Sequence, residues 1–351
     1  MKENSTGKKL FEVADVAGKG IAKAAAVAGK GIAKATSATG KGIVKVAGAT
    51  GDASTTLVKK TADSVTASKE AVFKALDQNG DGQIGIEDVI IMGLNVPGVR
   101  IDRASFLRKE LFKKYSQEVI DDVILHNPLH ANIKPEDIDK IADEVIKYER
   151  NCVSGISAAL GTPGGVAMVA TIPADIAQYY GYMLRVMQKL LYLYGFPEID
   201  LKEKGDVIDT ETMNMLVVCM GAMYGVAGAN KAIKSIATAL GNGVQKQLMK
   251  KALTKGTIYP IVKSVSKWFG VKMTKEVFTG FFKKSIPVIG GVVGGGLTFF
   301  TFKACCDKLK ESLQDTMLSN PDYCSEGNEI EIVSASGEVI EVDYEEMEEE
   351  I

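Results

Sequence analysis

The sequence has only two histidines, His126 and His130, and its five cysteines include no CxxC pair. Cys152, Cys219, Cys305, Cys306 and Cys324 are odd in number and scattered, which argues against a zinc site or a redox dithiol and fits idle thiols in a reducing cytosol. The histidines are four apart, but Pro128 stands between them and breaks the helix that would aim both at one metal, so they read as surface or capping residues. Arginine is scarce beside lysine and no aromatics interleave with the basic repeats, which speaks against nucleic-acid binding. The opening MKENSTGKKLFEVADV lacks a continuous apolar core and does not read as a secretory signal. No nucleophile-base pair is evident, and GGVVGGG near the C-terminus lacks the Lys-Ser/Thr of a nucleotide loop. These absences weigh toward a non-enzymatic, cytoplasmic protein.

What is present is unevenly distributed. With 351 residues, 46% of them hydrophobic and 25% charged, the chain can bury a substantial core. The net charge of −2 hides a polarity: residues 1–51 carry nine lysines against Glu3, Glu12 and Asp15, whereas EVDYEEMEEEI at 341–351 carries seven carboxylates and no base. Glycines at Gly7, Gly18, Gly29, Gly40 and Gly51 recur every 11 residues, and the three central units begin Gly-Lys-Gly-Ile. Eleven residues are close to three helical turns, so Ile21, Ile32 and Ile43 return to one side of a helix. Lys19 and Lys23, Lys30 and Lys34, and Lys41 and Lys45 gather opposite. Each glycine costs about 1 kcal/mol against alanine in a helix, so the segment is poorly ordered in water. An anionic membrane surface would fold it, since lysines near such a surface contribute roughly 1 kcal/mol each. In period and residue type the segment resembles the 11-residue lysine and glycine repeats of the synucleins, which implies a surface-bound membrane helix. The competing expectation packs its alanine and glycine face against the protein's own body.

Residues 77–88, DQNGDGQIGIED, carry a more specific signal. A hard cation needs converging oxygens, and Asp77, Asn79 and Asp81 stand at alternate positions, with Gly82 for the sharp turn and Gln83 offering its carbonyl. Helical flanks, KEAVFKAL before and IEDVIIMGL after, complete the pattern of an EF-hand, which the stretch resembles. Its twelfth position is Asp88 where glutamate is usual. The shorter side chain offers one oxygen more readily than two, a number better suited to Mg than to Ca, and the cofactor expected is Ca or Mg. No second loop of this kind accompanies it.

Further on, RASFLRKELFKKY with Asp102 as its cap, SQEVIDDVILH ending before Pro128, and PEDIDKIADEVIKYER beginning at Pro135 read as helices. Three charge-free runs follow, 151–174, 212–230 and 285–302. At face value such lengths can cross a bilayer, which needs about 20 apolar residues, but glycine, proline and polar residues interrupt them, as in closely packed or shallowly inserted helices. GTPGG at 161–165, IPADIAQYYGYMLRVMQKLLYLYG at 172–195, MGAMYGVAGANKAIKSIA at 220–237 and SIPVIGGVVGGGLTFFTF at 285–302 resemble, in order and spacing, the EcsC family of bacterial proteins. The likeness spans about residues 140–315. It implies a mostly helical membrane-associated protein from an operon that also encodes an ABC transporter, and it brings no catalytic residues. On a helix starting at Pro173, Asp175, Gln178, Tyr182, Arg185 and Lys189 form a polar stripe. The stripe suits a phosphate or carboxylate ligand, or acid-base work; the plainer reading is a paired stripe that fixes helix register.

The expectation is thus an all-α, multi-helix bundle with glycine-rich hydrophobic helices, an EF-hand helix-loop-helix and a short C-terminal β-hairpin. Its regions are a lysine repeat segment at 1–62, an EF-hand-like region at 63–130, an EcsC-like body at 135–318, and a hairpin with an acidic tail at 319–351. The implied partners are a divalent cation, Ca or Mg, an anionic lipid surface on the cytoplasmic face of the membrane, and a membrane protein such as a transporter. The alternatives are an enzyme or binding protein for a lipid or small anionic ligand, working at the Asp175, Tyr182 and Arg185 stripe, and an integral accessory of a transporter.

Overall fold

A computed structural model of the chain describes residues 74–160, 166–201, 208–243, 246–272 and 290–324. The lysine repeats and the hairpin with its acidic tail lie outside the described residues. Within them the chain is helical and contains no strand. Ten helices follow in order: α1 Ile86–Leu94, α2 Arg103–Leu111, α3 Gln117–Leu125, α4 Pro135–Leu160, α5 Val166–Leu193, α6 Thr210–Tyr224, α7 Ala229–Gly241, α8 Lys246–Thr254, α9 Tyr259–Lys272 and α10 Gly290–Gln314.

The centre of the bundle is α5. From Met183 to Leu193 its apolar residues are buried on every side, as expected of a helix enclosed by others. It is flanked by α4, α10, α1 and α2, while α10 runs along α4 and also meets α6. Helices α7, α8 and α9 gather around α6. Residues from Leu76 to Leu318 share one hydrophobic core, so the loop-bearing segment and the helices from residue 135 onward are packed as one mass among the described residues.

Local chemistry explains several boundaries. The Asp102 carboxylate accepts from Ser105 N at 2.7 Å and caps α2. Asp209 does the same for α6 through Thr212 N at 3.0 Å. Helix α3 ends ahead of Pro128, and Pro135 opens α4. The run 212–230 is divided between α6 and α7 by Gly225 and Gly228, which adopt left-handed φ values of 73° and 80°. Val226 N reaches back to Gly221 O at 2.8 Å, closing the end of α6.

Two expectations need adjusting. The helix assigned to start at Pro173 begins at Val166, so Pro173 lies inside α5. The charge-free run 151–174 likewise belongs to the end of α4 and the start of α5, with 161–165 outside the described residues. No described helix is long and apolar enough to cross a membrane.

All five cysteines are free thiols. Burial pushes Cys219 up to about 12 and Cys305 up to about 11, which keeps both protonated and unreactive.

Candidate metal centre

Residues 74–76 are helical, Leu76 is buried, and the chain then turns through 77–85 into α1. The turn is built from side-chain oxygens that each accept a backbone N–H a few residues on. Asp77 Oδ1 accepts from Gly80 N at 2.7 Å and Oδ2 from Gly82 N at 3.0 Å. Asn79 Oδ1 accepts from Asp81 N at 2.9 Å, and Asp81 Oδ1 from Gln83 N at 2.7 Å. Asn79 Nδ2 also donates to Asp81 Oδ2 at 3.3 Å. Gly80 and Gly82 have φ values of 75° and 78°, which side-chain-bearing residues rarely adopt. These two glycines let the ring of polar side chains close on itself. Ile84 is buried and anchors the loop from beneath.

Asp88 differs from the other loop acids. It is fully buried, whereas Asn79 and Asp81 are exposed. Its Oδ1 accepts from Gln78 N at 2.8 Å and Asn79 N at 3.1 Å, and its Oδ2 accepts from Gly85 N at 2.7 Å. The last bond makes Asp88 an acceptor for the first turn of α1, beside a charge-favourable helix N-terminus. A carboxylate oxygen has two lone pairs. Oδ1 is therefore saturated by two amides, and Oδ2 keeps one acceptor position. The donor set is all oxygen and includes three carboxylates, which fits a hard divalent cation. Asp77, Asn79, Asp81, the Gln83 carbonyl and one oxygen of Asp88 would hold it.

The loop is tied firmly to the bundle. Glu87, next to Asp88, accepts from Ser266 Oγ of α9 at 3.0 Å. On α1, Gly93 meets α5 so closely that a Cβ there would lie 3.0 Å from Gly181 N and 2.9 Å from Leu184 Cδ1. After α1 the chain is gripped again: Gln188 Oε1 accepts from Ile101 N at 3.0 Å while its Nε2 donates to Val99 O at 2.9 Å.

The polar stripe of α5 is paired mostly with residues of α4. Asp175 accepts from Ser157 Oγ at 2.9 Å, and burial raises its carboxyl above the ordinary range against the opposing pull of that hydroxyl. Gln178 is buried and its Nε2 donates to Val153 O at 3.5 Å. Arg185 engages Glu149 through Nε at 3.2 Å and Nη2 at 3.3 Å, and donates through Nη1 to Gly98 O. Lys189 Nζ donates to the same Glu149 at 2.5 Å. The Arg185 guanidinium also stands 5.6 Å from the Tyr182 ring centroid. Burial alone would lower Arg185, but the charge and hydrogen bonds of Glu149 outweigh it and hold the group above its ordinary value.

Glu149 is the organising residue of this cluster and is absent from the stripe as read in sequence. Its signal is positional: on α4 it continues the buried series Ala142, Val145, Ile146 and Val153, where an apolar residue is expected. A charge at that position implies a partner on the facing helix.

A cleft of about 50 Å³ lies elsewhere, lined by Leu129, Ile138, Asp139, Tyr194 and Leu318 among others. Tyr194 donates to Asp139 within it at 2.6 Å. Its size suits water more than a metabolite. Compared with models of protein families, with curated proteins and with solved structures, the chain finds no match.

Proposed function

We propose that this chain is a non-enzymatic, EcsC-like helical protein that binds a divalent cation through residues 77–88 and works at an anionic membrane surface on the cytoplasmic face. The observation that carries the reading is the build of the loop. Three polar side chains are oriented in succession by their own backbone, two glycines hold left-handed turns, and the buried Asp88 closes the ring onto α1. Because Asp88 keeps a single acceptor position, the preferred ion is Mg over Ca. The contact of Gly93 with α5 links the loop to the core of the body. A cation therefore acts on the body through α1.

The membrane part rests on the lysine repeats and on the resemblance to the EcsC family, which also suggests a transporter as the protein partner. An enzyme or anion-binding role at the α5 stripe has less support, because Asp175 and Arg185 are turned to Ser157 and Glu149. An integral membrane role has none among the described helices.

The test uses the full chain in a flotation assay with neutral phosphatidylcholine vesicles and with vesicles containing phosphatidylglycerol, each with Mg²⁺, Ca²⁺ or chelator. Binding only to the anionic vesicles, lost on deletion of residues 1–62, is expected. Equal binding to both vesicles, or to neither, would overturn the membrane role. Calorimetry with each ion, on the wild type and on Asp81→Asn, tests the loop separately: absence of heat for both ions would remove it.

A further inference from the structure

His126 and His130 are expected from their spacing to be kept apart by Pro128. Pro128 does end the helix, but the turn that follows carries His130 back over His126. The two imidazoles lie with centroids 4.0 Å apart and planes inclined by 27°. Both face the same carboxylate. His126 Nδ1 is 2.8 Å from Asp122 Oδ1, and His130 Nδ1 is 3.4 Å from Asp122 Oδ2. The only two histidines in 351 residues thus converge on one acid at the end of α3.

The turn that achieves this is held at several points. His130 N donates to Asn127 Oδ1 at 2.8 Å, and Ile133 N to Pro128 O at 2.9 Å. Asn132 takes a left-handed φ of 55° to complete the reversal. Beneath it, the buried Arg103 donates through Nη2 to His126 O at 3.3 Å, fixing the backbone that carries the first imidazole. The backbone is ordered while the donor tips stay accessible, the side chains of His126, His130 and Asp122 being 44%, 56% and 37% exposed.

We infer that Asp122, His126 and His130 form a binding site for a borderline divalent ion of the zinc class, separate from the loop at 77–88. The nitrogen and carboxylate donors lie within 4.8 Å of one another. Tetrahedral zinc with bonds of about 2.0–2.1 Å requires its donors roughly 3.3 Å apart, a value that falls between the 2.8 and 3.4 Å separations from Asp122 already in place. To close on a common ion the stacked rings splay, a motion open to two half-exposed side chains. Two imidazoles and one carboxylate prefer zinc, cobalt or nickel to magnesium. The three protein donors leave a further coordination position for water. The alternative is that the histidines serve Asp122 only as hydrogen-bonding partners.

The experiment titrates Co²⁺ into untagged full-length protein carrying Cys324→Ser, with excess Mg²⁺ present to occupy the loop. Visible absorption reports the coordination, and Zn²⁺ is added afterwards as competitor. One Co²⁺ per chain, displaced by Zn²⁺, is expected. Asp122→Asn or His130→Ala should weaken it by about tenfold or more, and the double variant His126→Ala, His130→Ala should abolish it. Circular dichroism checks that helix content is kept, and His130→Gln serves should His130→Ala lose structure. The proposal is overturned by no absorption change, or by unchanged binding in the double histidine variant. Asp77→Asn, which impairs the loop at 77–88, should leave the Co²⁺ signal intact; loss of the signal there would also sink the assignment.

Discussion

Gly93 of α1 packs against the backbone of Gly181 of α5: a Cβ at Gly93 would stand 3.0 Å from Gly181 N, and one at Gly181 would stand 3.1 Å from Val96 Cβ, just beyond α1. Gly93→Ala must push the helices apart. The expected loss is about 1–3 kcal/mol, read from urea denaturation. Gly155 on α4 is the control, since a Cβ there meets nothing within 4 Å. Gly155→Ala should raise stability by about 1 kcal/mol or less through helix propensity. If both substitutions act alike, the close approach of α1 and α5 is not what the structure describes.

Removing the charge of Glu149 strands two cations. Glu149 is fully buried, and Arg185 and Lys189 are 23% and 10% exposed. Glu149→Gln should destabilise by about 3–5 kcal/mol, while joint replacement of all three by apolar residues should recover most of it. A thermal melt of both variants decides. A mild effect of Glu149→Gln would mean that the cluster is well hydrated.

Lengthening Asp88 should change the ion chosen by the loop. Asp88→Glu supplies a carboxylate that reaches past the amides of Gln78, Asn79 and Gly85 to offer two oxygens. The ratio of Ca²⁺ to Mg²⁺ affinity, measured by calorimetry, should rise. An unchanged ratio would show that position 88 does not set selectivity.

Asp175 gives a pH test with a definite sign. Its folded-state pKa is raised, chiefly by burial, so the folded protein binds its proton more tightly than the unfolded chain does. This contribution is complete below the unfolded value, about 3.9, and is lost as pH rises through the folded value. Asp175→Asn should therefore be more stable than wild type at neutral pH, and the advantage should disappear in acid. Denaturation midpoints at the two pH values measure it; an advantage that grew in acid would contradict the sign.

The local devices were legible in the sequence because they depend on neighbouring residues. Asp102 as a cap, Pro135 as a helix start, the stop of α3 before Pro128 and Gly82 as the turn glycine of 77–88 all follow from short-range rules, whereas the left-handed Gly80 is not singled out. What depends on distant partners was not. Nothing near Glu149 says that Arg185 and Lys189 will meet it across two helices. Pro173 suggested a helix start, yet packing carries α5 back to Val166. Pro128 reads as a separator of the histidines because a broken helix is visible in sequence, while the return path through Asn132 is not.

Arg103 has one more consequence. From the start of α2 its guanidinium reaches Val123 O at 3.3 Å and Ile124 O at 2.7 Å at the end of α3, and Phe196 O at 3.2 Å beyond α5. Four carbonyls, with that of His126, thus depend on one side chain. Residues 103–133 should then open and close as a cooperative unit, their amides exchanging with deuterium together, and Arg103→Lys, with a single ammonium for those acceptors, would make that unit the first part of the bundle to loosen.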